Sequence, residues 1–323
     1  MPRSRVSSRI GAAAIPAPAL TLISMLSFQL AAAWSLPLVP VLSAVGVTWI
    51  RLACAAVIML ALVRPAGLFS FEDCRAPILL GLATAGMSIA YLEAVSRIPL
   101  GMATTIEFMG PLGLALMSRQ RGQDILWAAM AAAGVLLLVG HELRQPSWGE
   151  ALGMAFAAMS GLFWVAYTLL TVRLGRSAQS LSGLTVAFAV AALVSAPFGL
   201  PQVAGTVTLL QLAAIAGIAV LAPLLPFCLE LAALRRMSTG TFGILMSLDP
   251  AISALTGLVV VGQELGWLTL AGIGCVSAAS MGTSWTAGRL ARHASSPADA
   301  LPQALASTER SRLSDETTVT KQR

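Results

Sequence analysis

Long apolar runs, separated by short breaks of charge, proline or glycine, set the pattern of this chain. Ten runs are long enough to cross a bilayer as helices, at roughly 18–38, 45–63, 76–95, 101–118, 124–140, 150–171, 180–199, 208–232, 240–261 and 267–286. The breaks read Arg64-Pro65, Ile98-Pro99, Arg119 to Asp124, Gln145-Pro146, Arg173 to Arg176, Leu200-Pro201, Arg235-Arg236 and Gly262-Gln263. Beyond Gly288 the chain turns polar, ending SSPADALPQALASTERSRLSDETTVTKQR, a composition that predicts disorder.

Composition sharpens this reading. Of 323 residues, 57% are hydrophobic and 11% charged, against about 45–50% and 25% in soluble domains. So few charges cannot cover the surface of a water-soluble enzyme, and an integral membrane protein is expected. The formal charge of +6 does not point to nucleic acid, because the arginines lie between the apolar runs, where they orient a chain in a bilayer. Three basic residues precede the first run, two lie in each of four alternate loops, and six lie in the tail. The opposite loops hold two, Arg97 and Arg144, while Arg51 falls inside a run. The positive-inside rule then puts both termini in the cytoplasm, and the even number of runs agrees. The first 35 residues resemble a signal peptide, with Arg3, Arg5 and Arg9 ahead of an apolar stretch. Since spans continue throughout, an uncleaved first helix is expected. Cys54, Cys74, Cys228 and Cys275 share no metal or disulfide spacing, and His141 and His293 are isolated. No metal or cofactor is expected.

The two halves repeat. GQDILWAAMAAAGV from Gly122 matches GQELGWLTLAGIGC from Gly262, pairing Trp127 with Trp267 and Gly134 with Gly274. Upstream, Ala94, Arg97, Gly101 and Pro111 fall on Ala233, Arg236, Gly240 and Pro250. Five runs per half is an odd number, so the second half inserts upside down, and Arg97 and Arg236 face opposite sides. Inverted repeats are the build of many secondary transporters, which hold substrate near the midplane. The expected fold is an all-α membrane protein of ten transmembrane helices in two inverted repeats. Its boundaries are a cytoplasmic segment 1–17, repeats at 18–141 and 142–287, and a disordered cytoplasmic tail 288–323.

Charges inside a bilayer are costly, about 2.5–3.5 kcal/mol on insertion scales, and mark pathways or partners. Arg51 lies 13 residues before Arg64, Glu107 lies 12 before Arg119, and Asp249 lies 13 after Arg236. At ~1.5 Å per residue all three sit roughly 18–20 Å from the cytoplasmic ends, near the midplane. They are read as one constellation that suits a zwitterion: Arg51 for a carboxylate, Glu107 or Asp249 for an ammonium group or a proton. The alternative for Arg51 is an ion pair with one of these acids. Glu230, five residues from Arg235, either lines an inner vestibule or pairs with an arginine. Glu93 stands four residues from Arg97, where an i,i+4 ion pair competes with a site role. Pro111 and Pro250 follow the acids closely and each frees a backbone carbonyl.

Trp49, Trp127, Trp148, Trp267 and Trp285 fall near span ends, as an interfacial belt predicts, and the methionines are read as packing residues. Trp34 and Trp164 lie deeper, within reach of a substrate. No Walker loop, HExxH or GxSxG motif is present, so neither an ATP-driven pump nor a membrane hydrolase is supported.

At these residues the chain resembles the EamA family of the drug/metabolite transporter superfamily, in particular its threonine/homoserine exporter (RhtA-type) branch. The resemblance spans about residues 20–285. It rests on GVTWIRLACA, RIPLGMATTIEFMGPLGLAL, PFCLELAALRRM and TFGILMSLDPAISALTGLVVVGQEL. It implies ten helices in two EamA repeats, a bacterial inner membrane and export of amino acids or related metabolites. With a buried carboxylate able to load and release protons, the expected function is proton-coupled export of small amino acids such as threonine or homoserine, or related metabolites. Glu107 stands in its EF-x-GPL motif, Glu230 in P-[FY]-x-x-E, Asp249 in the acid-Pro-Ala motif and Arg51 in G-V-T-x-x-R-L. One departure is Gln263, where the second repeat commonly carries an acid, which leaves neighbouring Glu264 without an expected role. The rival readings are an exporter of cationic drugs in the same fold, a membrane receptor or scaffold, and an intramembrane enzyme.

Overall fold

The computed structural model describes residues 15–63, 71–117, 122–142, 147–175, 180–237 and 239–294, and among these every regular element is helical. Most of the expected N-terminal segment and most of the expected tail lie outside the described residues. The helices are α1 Ala17–Ser35, α2 Val39–Leu42, α3 Ala44–Val63, α4 Phe71–Val95, α5 Leu100–Met117, α6 Gly122–Glu142 and α7 Trp148–Gly175. They continue with α8 Ser180–Val203, α9 Leu209–Ala219, α10 Leu225–Leu234, α11 Thr239–Met246, α12 Asp249–Thr256 and α13 Trp267–Ala294. Among the described residues seven stretches are long and apolar enough to cross a membrane: Ala17–Leu42, Ala44–Val63, Arg75–Val95, Trp148–Thr171, Leu181–Val203, Leu209–Leu234 and Ile244–Val261.

Two predicted ends move outward. α8 runs through Pro201 to Val203, and Pro197 also lies inside it. α13 runs past Gly288 to Ala294, because a polar sequence ends a hydrophobic run without ending a helix.

The exterior is apolar: Leu193, Leu209, Leu210, Val259 and Trp267 are each more than two-thirds exposed. Buried polar groups gather inside instead, among them Gln29, Thr104, Glu107, Ser160, Asp249 and Ser253. Lipid tails, unlike water, offer such groups no partners, so the protein interior has to supply them.

α7 packs along α4 and α5, α8 along α3 and α4, and α13 along α6. The α5–α7 seam depends on glycine. A Cβ on Gly161 would run into the backbone carbonyl of Glu107, and one on Gly110 into the backbone of Gly161. Close approach of this kind is a common role of small residues between membrane helices.

Two helical runs break at depth. Between α9 and α10 a π-helical turn, Val220–Leu224, contains Ala222 in an extended conformation and Pro223. Between α11 and α12 the chain turns at Ser247 and Leu248, just before Asp249-Pro250.

Gly161→Val is expected to force α5 from α7 and destabilise the protein by about 1–3 kcal/mol. Gly113→Ala is the control, since a Cβ there meets nothing within 4 Å. Thermal unfolding in detergent should show a lowered transition for the first variant and none for the second.

Candidate functional site

The breaks create a satisfaction problem whose solution places Arg51. Pro226 has no N–H, so the carbonyl of Ala222, four residues earlier, loses its helical donor. Arg51 Nε donates to Ala222 O at 3.1 Å in its place. Leu225 N–H bonds Val220 O across the π turn, which leaves Leu221 O free. Ser27 Oγ donates to Leu221 O at 2.6 Å. Arg51 Nη1 also donates to Ser35 Oγ at 3.3 Å. Arg51 is only 7% exposed, and among the described residues it makes no ion pair with Glu107 or Asp249. The expected constellation therefore divides: the acids lie at the cavity described next, and Arg51 ties the broken helix to α3 and α1.

A cavity with an empty volume of about 400 Å³, its mouth included, lies among α1, α4, α5, α7, α10, α11 and α12. Three acids line it: Glu107, Glu230 and Asp249. Phe28, Trp164, Tyr167 and Phe227 supply aromatic walls, and Met25, Met87 and Met246 the rest. Among the described residues no basic side chain belongs to this lining. Three carboxyl groups without a basic neighbour among the described lining residues are an arrangement that suits positive charge.

Each acid has a defined partner. Ser160 Oγ lies 2.5 Å from Glu107 Oε1 and 3.0 Å from Met87 O. Ser24 Oγ lies 3.0 Å from Glu230 Oε1 and 3.3 Å from Pro226 O. Tyr167 OH donates to Glu230 Oε2 at 3.3 Å. Asp249 instead meets an amide, with Gln29 Nε2 donating to Oδ1 at 3.1 Å. Asp249 opens α12, so its carboxyl also sits at the positive end of a helix. The prolines that follow two of the acids differ in effect: Pro111 lies within α5, while Pro250 starts α12.

The remaining predicted residues divide clearly. Trp164 lines the cavity edge-on to Phe108, with ring centroids 5.4 Å apart. Trp34 does not: it is 49% exposed on the outer surface, because its helical phase turns it away from the interior. Glu93 is ion-paired with Arg97, whose guanidinium also lies 5.3 Å from the Phe156 ring centroid. Gln263 Oε1 accepts the Leu100 N–H at 3.0 Å at the start of α5. An amide oxygen serves there as a carboxylate would, and Glu264 is exposed.

Sequence reasoning missed the three methionines, Tyr167, Ser24, Ser160 and Gln29. The signal available was Thr21, Ser24 and Ser27, three residues apart on one face of an apolar helix, with Gln29 beyond.

Comparison with known proteins follows this geometry. The threonine/homoserine exporter RhtA of Salmonella typhimurium strain LT2 is 34% identical over 271 residues, 82% of this chain and 90% of the relative. Its namesake in Escherichia coli K12 is 34% identical over 275 residues, 83% and 90% of the two chains. The EamA-like transporter family matches residues 151–297. The chain belongs to the EamA family. It is accordingly a multi-pass membrane transporter with a small molecule as cargo. The crystal structure of another protein superposes with a TM-score of 0.54 at 19% identity, covering 83% of this chain and 98% of its own, and shares the fold.

Removing the guanidinium should leave Ala222 O unpaired in an apolar interior. Arg51→Met is expected to destabilise this EamA protein by about 1–3 kcal/mol, with Arg51→Lys partly restoring stability. Denaturation in detergent, read by tryptophan fluorescence, measures both.

Proposed function

We propose that this EamA protein is a secondary exporter of small amino acids such as threonine or homoserine, or of related amino metabolites, coupled to protons. In this reading it works in a bacterial inner membrane with both termini cytoplasmic. Ten crossings form two inverted five-helix repeats, 18–141 and 142–287, around the cavity. The observation that carries the proposal is the cavity wall with Glu107, Glu230 and Asp249 and, among the described residues, no basic side chain. A substrate ammonium group supplies one of the missing positive charges and protons supply the others. The two relatives are threonine/homoserine exporters, which supports this substrate class.

Proton coupling is supported by the serine partners. A hydroxyl has one hydrogen to donate. While Glu107 is ionised, Ser160 donates to it. Once Glu107 carries a proton, the acid donates to Ser160 Oγ and the serine hydrogen turns to Met87 O, 3.0 Å away. Ser24 offers Glu230 the same exchange through Pro226 O. Both acids thus change protonation state without leaving a buried polar group unpaired.

The same wall favours a second reading, export of cationic drugs or amines. No basic lining residue waits for a substrate carboxylate, and four aromatic rings and three methionines suit an apolar cation.

Counterflow of labelled threonine and homoserine in proteoliposomes, with and without a pH gradient, tests the proposal. Wild type should show flux that responds to the gradient, and Glu107→Gln should lose that response. Flux of threonine that ignores both gradient and substitution would overturn proton coupling through Glu107. Flux of lipophilic amines without threonine would favour the second reading.

A further inference from the structure

Next to the cavity lies a chain of hydrogen-bonded polar groups that the transport reading has not used. Tyr91 OH donates to Gln29 Oε1 at 2.9 Å and lies 2.7 Å from Thr104 Oγ1. Thr104 Oγ1 lies 2.7 Å from Ser253 Oγ. These side chains come from α1, α4, α5 and α12, and none is more than 3% exposed. Each stands about one helical turn or less beyond a cavity-lining residue of its own helix. Gln29 follows Phe28, Tyr91 follows Met87, Thr104 precedes Glu107, and Ser253 follows Asp249. All four steps lead toward the same end, where α4 and α5 join between Val95 and Leu100. The chain of bonds is therefore a layer across four helices, not a patch on one.

Gln29 is the link between this layer and the cavity. Its amide has a donor end on Asp249 and an acceptor end on Tyr91. A positive charge arriving at Asp249 competes for the oxygen that Gln29 holds. An amide released from Asp249 and turned over presents N–H to Tyr91 where it had presented oxygen, and Tyr91 has to find another acceptor. Tyr91, Thr104 and Ser253 are hydroxyls able to donate in either direction, so the disturbance passes along the whole chain.

We propose that Tyr91, Thr104 and Ser253 form a gate at the Val95–Leu100 end of the cavity, and that Gln29 is the positioning residue linking it to the charge state of Asp249. The proposal rests on the transport reading for its purpose, and its test uses no substrate, so the two fail separately.

The test is made in proteoliposomes, with the native cysteines Cys54, Cys74, Cys228 and Cys275 replaced. Met25→Cys places a thiol in the cavity wall, and a membrane-impermeant thiol reagent is applied from either side. Thr104→Cys with Ser253→Cys adds a bolt, since their hydroxyls are near enough for a disulfide to replace them. Reduced protein should be labelled from both sides, and oxidised protein from one side only, with reductant restoring the other. Labelling from both sides while mass spectrometry shows the bolt closed overturns the gate.

The second arm removes the charge with Asp249→Asn. With Gln29 present, the ratio of labelling from the two sides should shift at least about threefold, and in the Gln29→Leu background it should not move. Equal shifts in both backgrounds overturn the role of Gln29. If Asp249→Asn does not fold, the bolt experiment still decides the gate.

Discussion

A backbone carbonyl inside a membrane protein has no water to turn to, and this constraint organises the rest of the structure. The helix made of α9 and α10 breaks at Ala222, and two of its carbonyls lose their helical donors. Arg51 and Ser27 reach from α3 and α1 to replace those donors. The same break sets the start of α10, which carries Phe227 and Glu230 into the cavity wall. A second break ends at Asp249 and gives it the first turn of α12. Discontinuous helices around a buried site are a recurring build of secondary transporters. Here Glu230 and Asp249 owe their positions to the interruptions, and the first interruption depends on side chains elsewhere.

The buried polar groups then fall into two sets with different chemistry. Glu107 and Glu230 each face a serine that also faces a backbone carbonyl, an arrangement that tolerates a proton arriving or leaving. Asp249 faces an amide, whose two ends are unlike and which must turn over to adapt. Protons suit the first pair, and an ammonium group suits the third acid. Ordinary hydrogen bonding, distributed over six helices, is enough to make three similar carboxyl groups inequivalent.

Much of this was legible in the sequence, and the failures share a cause. Hydropathy located the helical runs because burial in lipid acts on every residue of a span. Counting from flanking arginines placed Glu107 and Asp249 at matching depths, and both line the cavity. Depth gives position along a helix but not direction around it. Arg51 was accordingly grouped with the acids, whereas its side chain turns to Ala222, and Trp34 was placed within reach of a substrate, whereas it is half exposed on the outer surface. Glu93 had two readings, and its ion pair with Arg97 is the feature the structure adds to them. Ser24, Ser160 and Gln29 escaped notice because small polar side chains barely lower the hydropathy of a span. Their meaning lies in partners up to 220 residues away, which no local pattern contains.

The central claim is that the cavity recognises positive charge. Threonine counterflow should therefore be challenged with its two halves: 1-amino-2-propanol, which keeps the ammonium group and lacks the carboxylate, and 3-hydroxybutanoate, which keeps the carboxylate and lacks the amine. The account predicts that the amine competes with threonine and the hydroxy acid does not. Competition by 3-hydroxybutanoate without competition by the amine would contradict it.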